Sequence, residues 1–119
     1  MDKKQLIQHL NKNYKSNLSI ANTSFSSINK SKEVWWFNIS VSKFNKDLNL
    51  LLNTNQHALW LHLPKEFVKQ LSKSFKIRED KNAVDIEISA DKNSKYLKDI
   101  KSGGSGFNFA PFIKLKIDY

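Results

Sequence analysis

Two carboxylates, Asp85 and Glu87, stand on alternate positions of Ala83–Ser89 (AVDIEIS), interleaved with Val84, Ile86 and Ile88. A period of two is the signature of a strand with one buried face. Both carboxylates then share the opposite face, where they could hold a divalent cation. Restriction-type nucleases pair such a strand with a lysine two positions after the acidic residue, and here that position is Ser89. Solvent-facing carboxylates are the simpler reading, so no catalytic residue is assigned and a nuclease at Asp85 and Glu87 stays the weaker alternative. His9, His57 and His62 fall on different expected elements, with no cysteine and no HExxH spacing, so neither a metal site nor a cofactor is expected. No serine or threonine has a credible histidine partner for nucleophilic catalysis. All three glycines lie in Ser102–Gly106 (SGGSG). The stretch lacks the GK[ST] ending of a phosphate loop and follows rather than precedes a helix. It reads as a flexible connection, whose N–H groups beside Lys98 and Lys101 could contact phosphates.

A different chemistry is suggested by Trp36. In Glu33–Leu63, which holds all three tryptophans, Trp35, Phe37, Ile39 and Val41 fall on one strand face and Trp36, Asn38, Ser40 and Ser42 on the other. A large aromatic on a polar face must be covered by a helix or left as a contact surface. Left open, it is a stacking platform for a base or a partner side chain.

The elements that position these residues follow from the same periodicities. Glu33–Leu63 is expected to form three consecutive strands. Lys43–Asp47 and Asn53–Gln56 supply the reversals, Leu48–Leu52 is covered on both faces, and the third strand is central. Asp2–Tyr14 is an expected helix, with Leu6, Ile7, Leu10 and Tyr14 on one face and Asp2 and Gln5 in capping-box positions. Lys15–Lys32 is a Ser- and Asn-rich loop with one or two short edge strands. Pro64 opens a second expected helix at 64–75, placing Phe67, Val68, Leu71 and Phe75 on one face and Lys65, Lys69 and Lys73 on the other. Lys76–Asn82 is a polar connection, and Lys92–Ile100 is ambiguous between loop and short helix. A final strand turns Ile113, Leu115 and Ile117 inward. The expected fold is α+β: residues 1–119 as one basic domain, with a mostly antiparallel sheet of about five strands around a central meander at 33–63, an N-terminal helix and the helix at 64–75.

Charge selects the function class. Lys and Arg number 20 against 11 Asp and Glu, for a formal net charge of +9, and Arg78 is the one arginine. Such a balance favours a polyanionic partner. No apolar run approaches the ~20 residues that span a bilayer, and no apolar helix face suits a membrane surface. The absence of cysteine and of a secretory signal pattern points to a cytoplasmic protein. The sequence thus suggests a non-catalytic nucleic-acid-binding recognition module, DNA ahead of RNA, of the kind associated with restriction or defence systems. Lys30, Lys32, Lys43, Lys46 and Arg78 are the expected phosphate contacts, joined by Lys101. Trp36, Asn45 and Asn108 are the expected base contacts. The alternative is a protein-interaction module: a subunit, or a small phage or mobile-element inhibitor that binds an acidic partner. No stretch matches a family motif. In shape and charge alone, the organisation is similar to small basic β-rich recognition modules such as those attached to restriction enzymes, which assigns no residue a role.

Overall fold

The computed structural model describes residues 1–119. Helix α1 (Lys3–Tyr14) starts at a complete capping box: Asp2 Oδ1 accepts from the Gln5 amide at 2.8 Å, and the Asp2 amide donates to Gln5 Oε1 at 3.0 Å. These bonds satisfy two groups that a helix start leaves unpaired. The helix stops at Lys15, which adopts a left-handed conformation with φ 52°.

Seven strands follow: β1 (Thr23–Ser27), β2 (Val34–Ser40), β3 (Leu48–Asn53), β4 (His57–Leu63), β5 (Lys76–Arg78), β6 (Ala83–Ser89) and β7 (Ile113–Asp118). They form two sheets, ordered β1-β3-β4-β7 and β2-β6-β5. Every pairing is antiparallel except β1 with β3. The α+β class and the N-terminal helix agree with the sequence, while the strands number seven rather than five. Of the two beyond that number, β1 is the short edge strand expected within Lys15–Lys32, and β5 arises where the polar connection after α2 pairs with β6.

The expected meander is split between the sheets. A 3-10 turn at Val41–Asn45 carries the chain from β2 in one sheet to β3 in the other. The cause is visible in the residues. Strand β3 is buried throughout and β4 nearly so, because the four-stranded sheet is covered on both faces. On one face Leu51, Ala58 and Trp60 pack with Leu6, Ile7 and Leu10 of α1. On the other, Leu50, Leu52, Leu59 and Leu61 meet Trp35, Phe37, Ile39, Val84 and Ile86 of the three-stranded sheet. A strand with a polar face, such as β2, belongs in a sheet with one face open. The result is three layers: helix, four-stranded sheet, three-stranded sheet.

The helix expected at 64–75 contracts to α2 (Leu71–Ser74). Glu66 turns left-handed with φ 62°, and Phe67 leaves the helical path to join Phe44, Phe75, Phe107 and Phe112. No lysine ridge therefore forms along 65–73. In β7, Ile113 lies at the surface rather than inward, because the pairing with β4 shifts register between Trp60 and Leu61. Residues 92–100 contain no helix. No helix of the molecule is long and apolar enough to cross a membrane.

Candidate nucleic-acid interface

The outer face of β2-β6-β5 has neither helix nor sheet over it. Paired residues of neighbouring strands point to one side, so the registers Trp36↔Glu87, Asn38↔Asp85 and Lys76↔Asp85 gather these side chains on that face. Trp36 is 55% exposed, whereas its neighbour Trp35 is 1% exposed. The Trp36 indole is nonetheless held. Its Nε1 donates to Asp85 Oδ1 at 2.8 Å, and the Asn38 amide donates to the same oxygen at 3.4 Å. Lys101 Nζ lies 3.5 Å from Asp85 Oδ2 and 3.5 Å from Glu87 Oε1. Asp85 is thereby buried to 1% exposure. It is not the solvated carboxylate that alternation suggests, because three donors close over it. Its place is to anchor the platform.

The glycine stretch is mostly exposed but tethered. Ser105 donates to the Ser74 carbonyl through both its amide, at 3.1 Å, and its hydroxyl, at 2.9 Å. Gly103, with φ 92°, lies where an added Cβ would come 2.9 Å from Lys76 Cδ. The loop therefore borders the Trp36 face and delivers Lys101 to it.

Asp99 supports this loop from beneath. Its Oδ1 accepts from the Glu87 amide at 3.1 Å and the Lys101 amide at 3.0 Å. Its Oδ2 has no hydrogen-bond partner and faces Gly104, where an added Cβ would come within 2.6 Å. Burial raises the Asp99 pKa above the ordinary carboxyl range, outweighing the two backbone bonds that lower it. The folded chain thus holds this proton more tightly than the unfolded chain, and stability falls as pH rises from about 3.9 towards the folded value. Asp99→Asn keeps the Oδ1 acceptor and removes the buried charge. Urea unfolding from pH 3 to pH 7 should show this variant gaining stability over the parent as pH rises. A constant difference across that range would contradict the assignment.

The nine expected site residues are distributed over several surfaces. Trp36, Lys101 and Arg78 share the outer face of the three-stranded sheet. Arg78 is paired with Asp80 at 3.2 Å, and that pair raises the Arg78 pKa and lowers that of Asp80. Lys30 and Lys32 occupy the exposed turn between β1 and β2, ordered by bonds from the Ser31 and Lys32 amides to Asn29 Oδ1. Lys43 lies elsewhere, donating to the Ala21 carbonyl at 2.9 Å. Beside it, Lys3 reaches the Ile20 carbonyl, and its pKa is lowered by burial and by Lys43. Asn45 lines a cleft of about 670 Å³ with Lys65, Lys69 and Glu66, and Lys46 is exposed nearby. Asn108 is spent locally, its Oδ1 accepting from the Ala110 amide at 3.1 Å.

Comparison with known protein families, curated proteins and solved structures finds no match. Sequence reasoning missed Lys76, whose place opposite Asp85 depends on β5, and missed Asp85 as the anchor of Trp36. Asn38 was legible, since it alternates in phase with Trp36. No group of three or more His, Asp or Glu side chains is arranged to hold a metal ion.

Proposed function

We propose that this chain is a non-catalytic nucleic-acid-binding module that takes unpaired bases on Trp36, with DNA as the first ligand to test. The observation that carries the reading is the half-exposed indole held by Asp85 on an open sheet face. Modules for single strands combine aromatic side chains, on which bases stack, with a cationic surround that follows the backbone. Around Trp36, Asn38 offers an amide for a base edge and Lys76 offers positive charge, while Arg78 is paired with Asp80 and Lys101 with Asp85 and Glu87. The wider surface suits a polyanion as well. Of the 20 basic residues, Arg78, Lys101 and Lys116 have a carboxylate within ion-pair distance. The rest of the positive charge is available to phosphates. Asp85 and Glu87 are tied to Trp36 and Lys101, which favours a positioning role over catalysis. A chain without cysteine also suits the reducing cytoplasm, where we place this activity.

Fluorescence anisotropy with labelled single- and double-stranded DNA and RNA tests the proposal. Single strands are expected to bind more tightly than duplex. The logarithm of their affinity should fall linearly with the logarithm of salt concentration, by about 0.7 per phosphate neutralised. Undetectable or salt-independent binding would overturn it.

A further inference from the structure

A second site opens on the opposite side of β2, where three turns meet at one end of the sheets. These are the β1–β2 turn, the β3–β4 turn and the loop after β6. They line an open cleft of about 350 Å³, within the ~300–1,000 Å³ of small-molecule sites. Its accessible apolar part comes from the half-buried Ile28, Ala90 and Tyr96; Trp35 lies beneath them, 1% exposed, and supports the base of the cleft. Lys30 and Lys92 reach it from two of the turns, and no Asp or Glu lines it. The five ion pairs of the molecule involve neither lysine.

The frame around this cleft is built in advance. The Asn53 carbonyl accepts from Trp35 Nε1 at 3.0 Å and from the Ile28 amide at 2.9 Å. The Ala90 amide donates to the Glu33 carbonyl at 2.8 Å, joining the other two turns. In the β3–β4 turn, Thr54 Oγ1 accepts from the Gln56 and His57 amides at 3.2 and 3.0 Å. His57 also lines the cleft. Its pKa is lowered by burial and by the nearby charges of Lys116 and Lys92, against an opposing pull from Asp118, and its Nδ1 lies 3.3 Å from Thr54 Oγ1.

A floor of Ile28 and Ala90 with the half-exposed Tyr96 ring beside it, polar groups of the β3–β4 turn, and two ammonium groups outside any ion pair form a consistent set. The floor suits a planar heterocycle, and the lysines suit a compact anion close to it. We propose that this cleft binds a nucleotide through its base and its phosphomonoester, with Lys30 and Lys92 holding the phosphate and Tyr96 beside the base. The ligand is either a free nucleoside monophosphate or the phosphorylated end of a strand. Trp36 lies on the other face of β2, so the site stands independently of strand binding there.

Site-resolved NMR on the full chain tests this. Amide shifts are followed with adenosine 5′-monophosphate, thymidine 5′-monophosphate, adenosine, inorganic phosphate, and oligothymidylates carrying either a 5′-phosphate or a 5′-hydroxyl. The proposal expects saturable shifts at Lys30, Gln56, His57, Lys92 and Tyr96 with the phosphorylated ligands. It also expects at least tenfold weaker binding in a Lys30→Ala/Lys92→Ala variant whose melting temperature is unchanged. Shifts from both monophosphates would identify a free nucleotide as the ligand; shifts from the 5′-phosphorylated strand alone would identify a strand end. Shifts confined to the residues around Trp36, an unaffected double variant, or equal response to adenosine or inorganic phosphate alone would overturn the proposal. So would no response at millimolar nucleotide.

Discussion

Phe75→Ala is expected to lower the free energy of unfolding by about 3–5 kcal/mol. A domain of this size commands roughly 5–15 kcal/mol in total, so the variant should be partly unfolded near body temperature. Phe75 is 1% exposed and its ring touches three others: Phe107 at 5.3 Å, Phe109 at 5.9 Å and Phe67 at 6.0 Å between centroids. Those rings come from two separate segments, 64–70 and 107–112, which hold no α-helix or strand and only a single 3-10 turn at Ala110–Phe112. Removing the central ring leaves a void that they cannot close together, so the cavity cost adds to the lost burial. Segment 64–70 depends on this cluster for its place, since Phe67 is its largest anchor. Urea unfolding followed by circular dichroism should show a lower midpoint, with Phe75→Leu retaining most of the stability. A loss under about 1 kcal/mol for the alanine variant would contradict the packing described.

Trp36→Ala is expected to act in the opposite way, with a large effect on binding and a small one on stability. Base stacking on an aromatic side chain is worth about 1–3 kcal/mol, or roughly 5- to 150-fold in affinity. The indole is half exposed, and Asn38 and Lys101 still cover Asp85 once it is gone, so the stability change should stay within about 1 kcal/mol. Trp36→Phe separates the two roles of the ring. It keeps a stacking face but loses the Nε1 bond to Asp85, and most of the affinity should survive. Equal loss in both variants would mean that the indole N–H, rather than the π face, is what matters.

Much of the architecture was legible because it rests on periodicity and local chemistry. Asp2 and Gln5 announced the start of α1, and the alternation in β2 announced a strand with one buried face, whereas the same alternation in β6 gave the strand but not the burial of its second face. Leu48–Leu52 announced a strand covered on both sides. What escaped notice depends on contacts between distant segments. Nothing local in Pro64–Phe75 reveals that Phe67 prefers four other rings to a helical turn. The period of two that makes Asp85 look solvated cannot show Trp36, Asn38 and Lys101 closing over it. For the candidate site, Trp36 was readable as an odd aromatic on a polar face. Its neighbours Lys76 and Lys101 were not readable as neighbours, since β5 and the glycine loop bring them there. Lys43 was grouped with Lys46 from their nearness in sequence, whereas the fold sets Lys43 beside Lys3 and the carbonyls of Ile20 and Ala21.

The most direct measurement is intrinsic tryptophan emission during titration with an oligothymidylate at physiological salt. Trp35 and Trp60 are buried, with their indole N–H groups bonded to the Asn53 carbonyl and to Asn49 Oδ1, so Trp36 is the tryptophan a strand can reach. Saturable quenching that disappears in Trp36→Ala is the predicted result. Binding that leaves the emission unchanged, or no binding once salt reaches physiological strength, would contradict a base-stacking face.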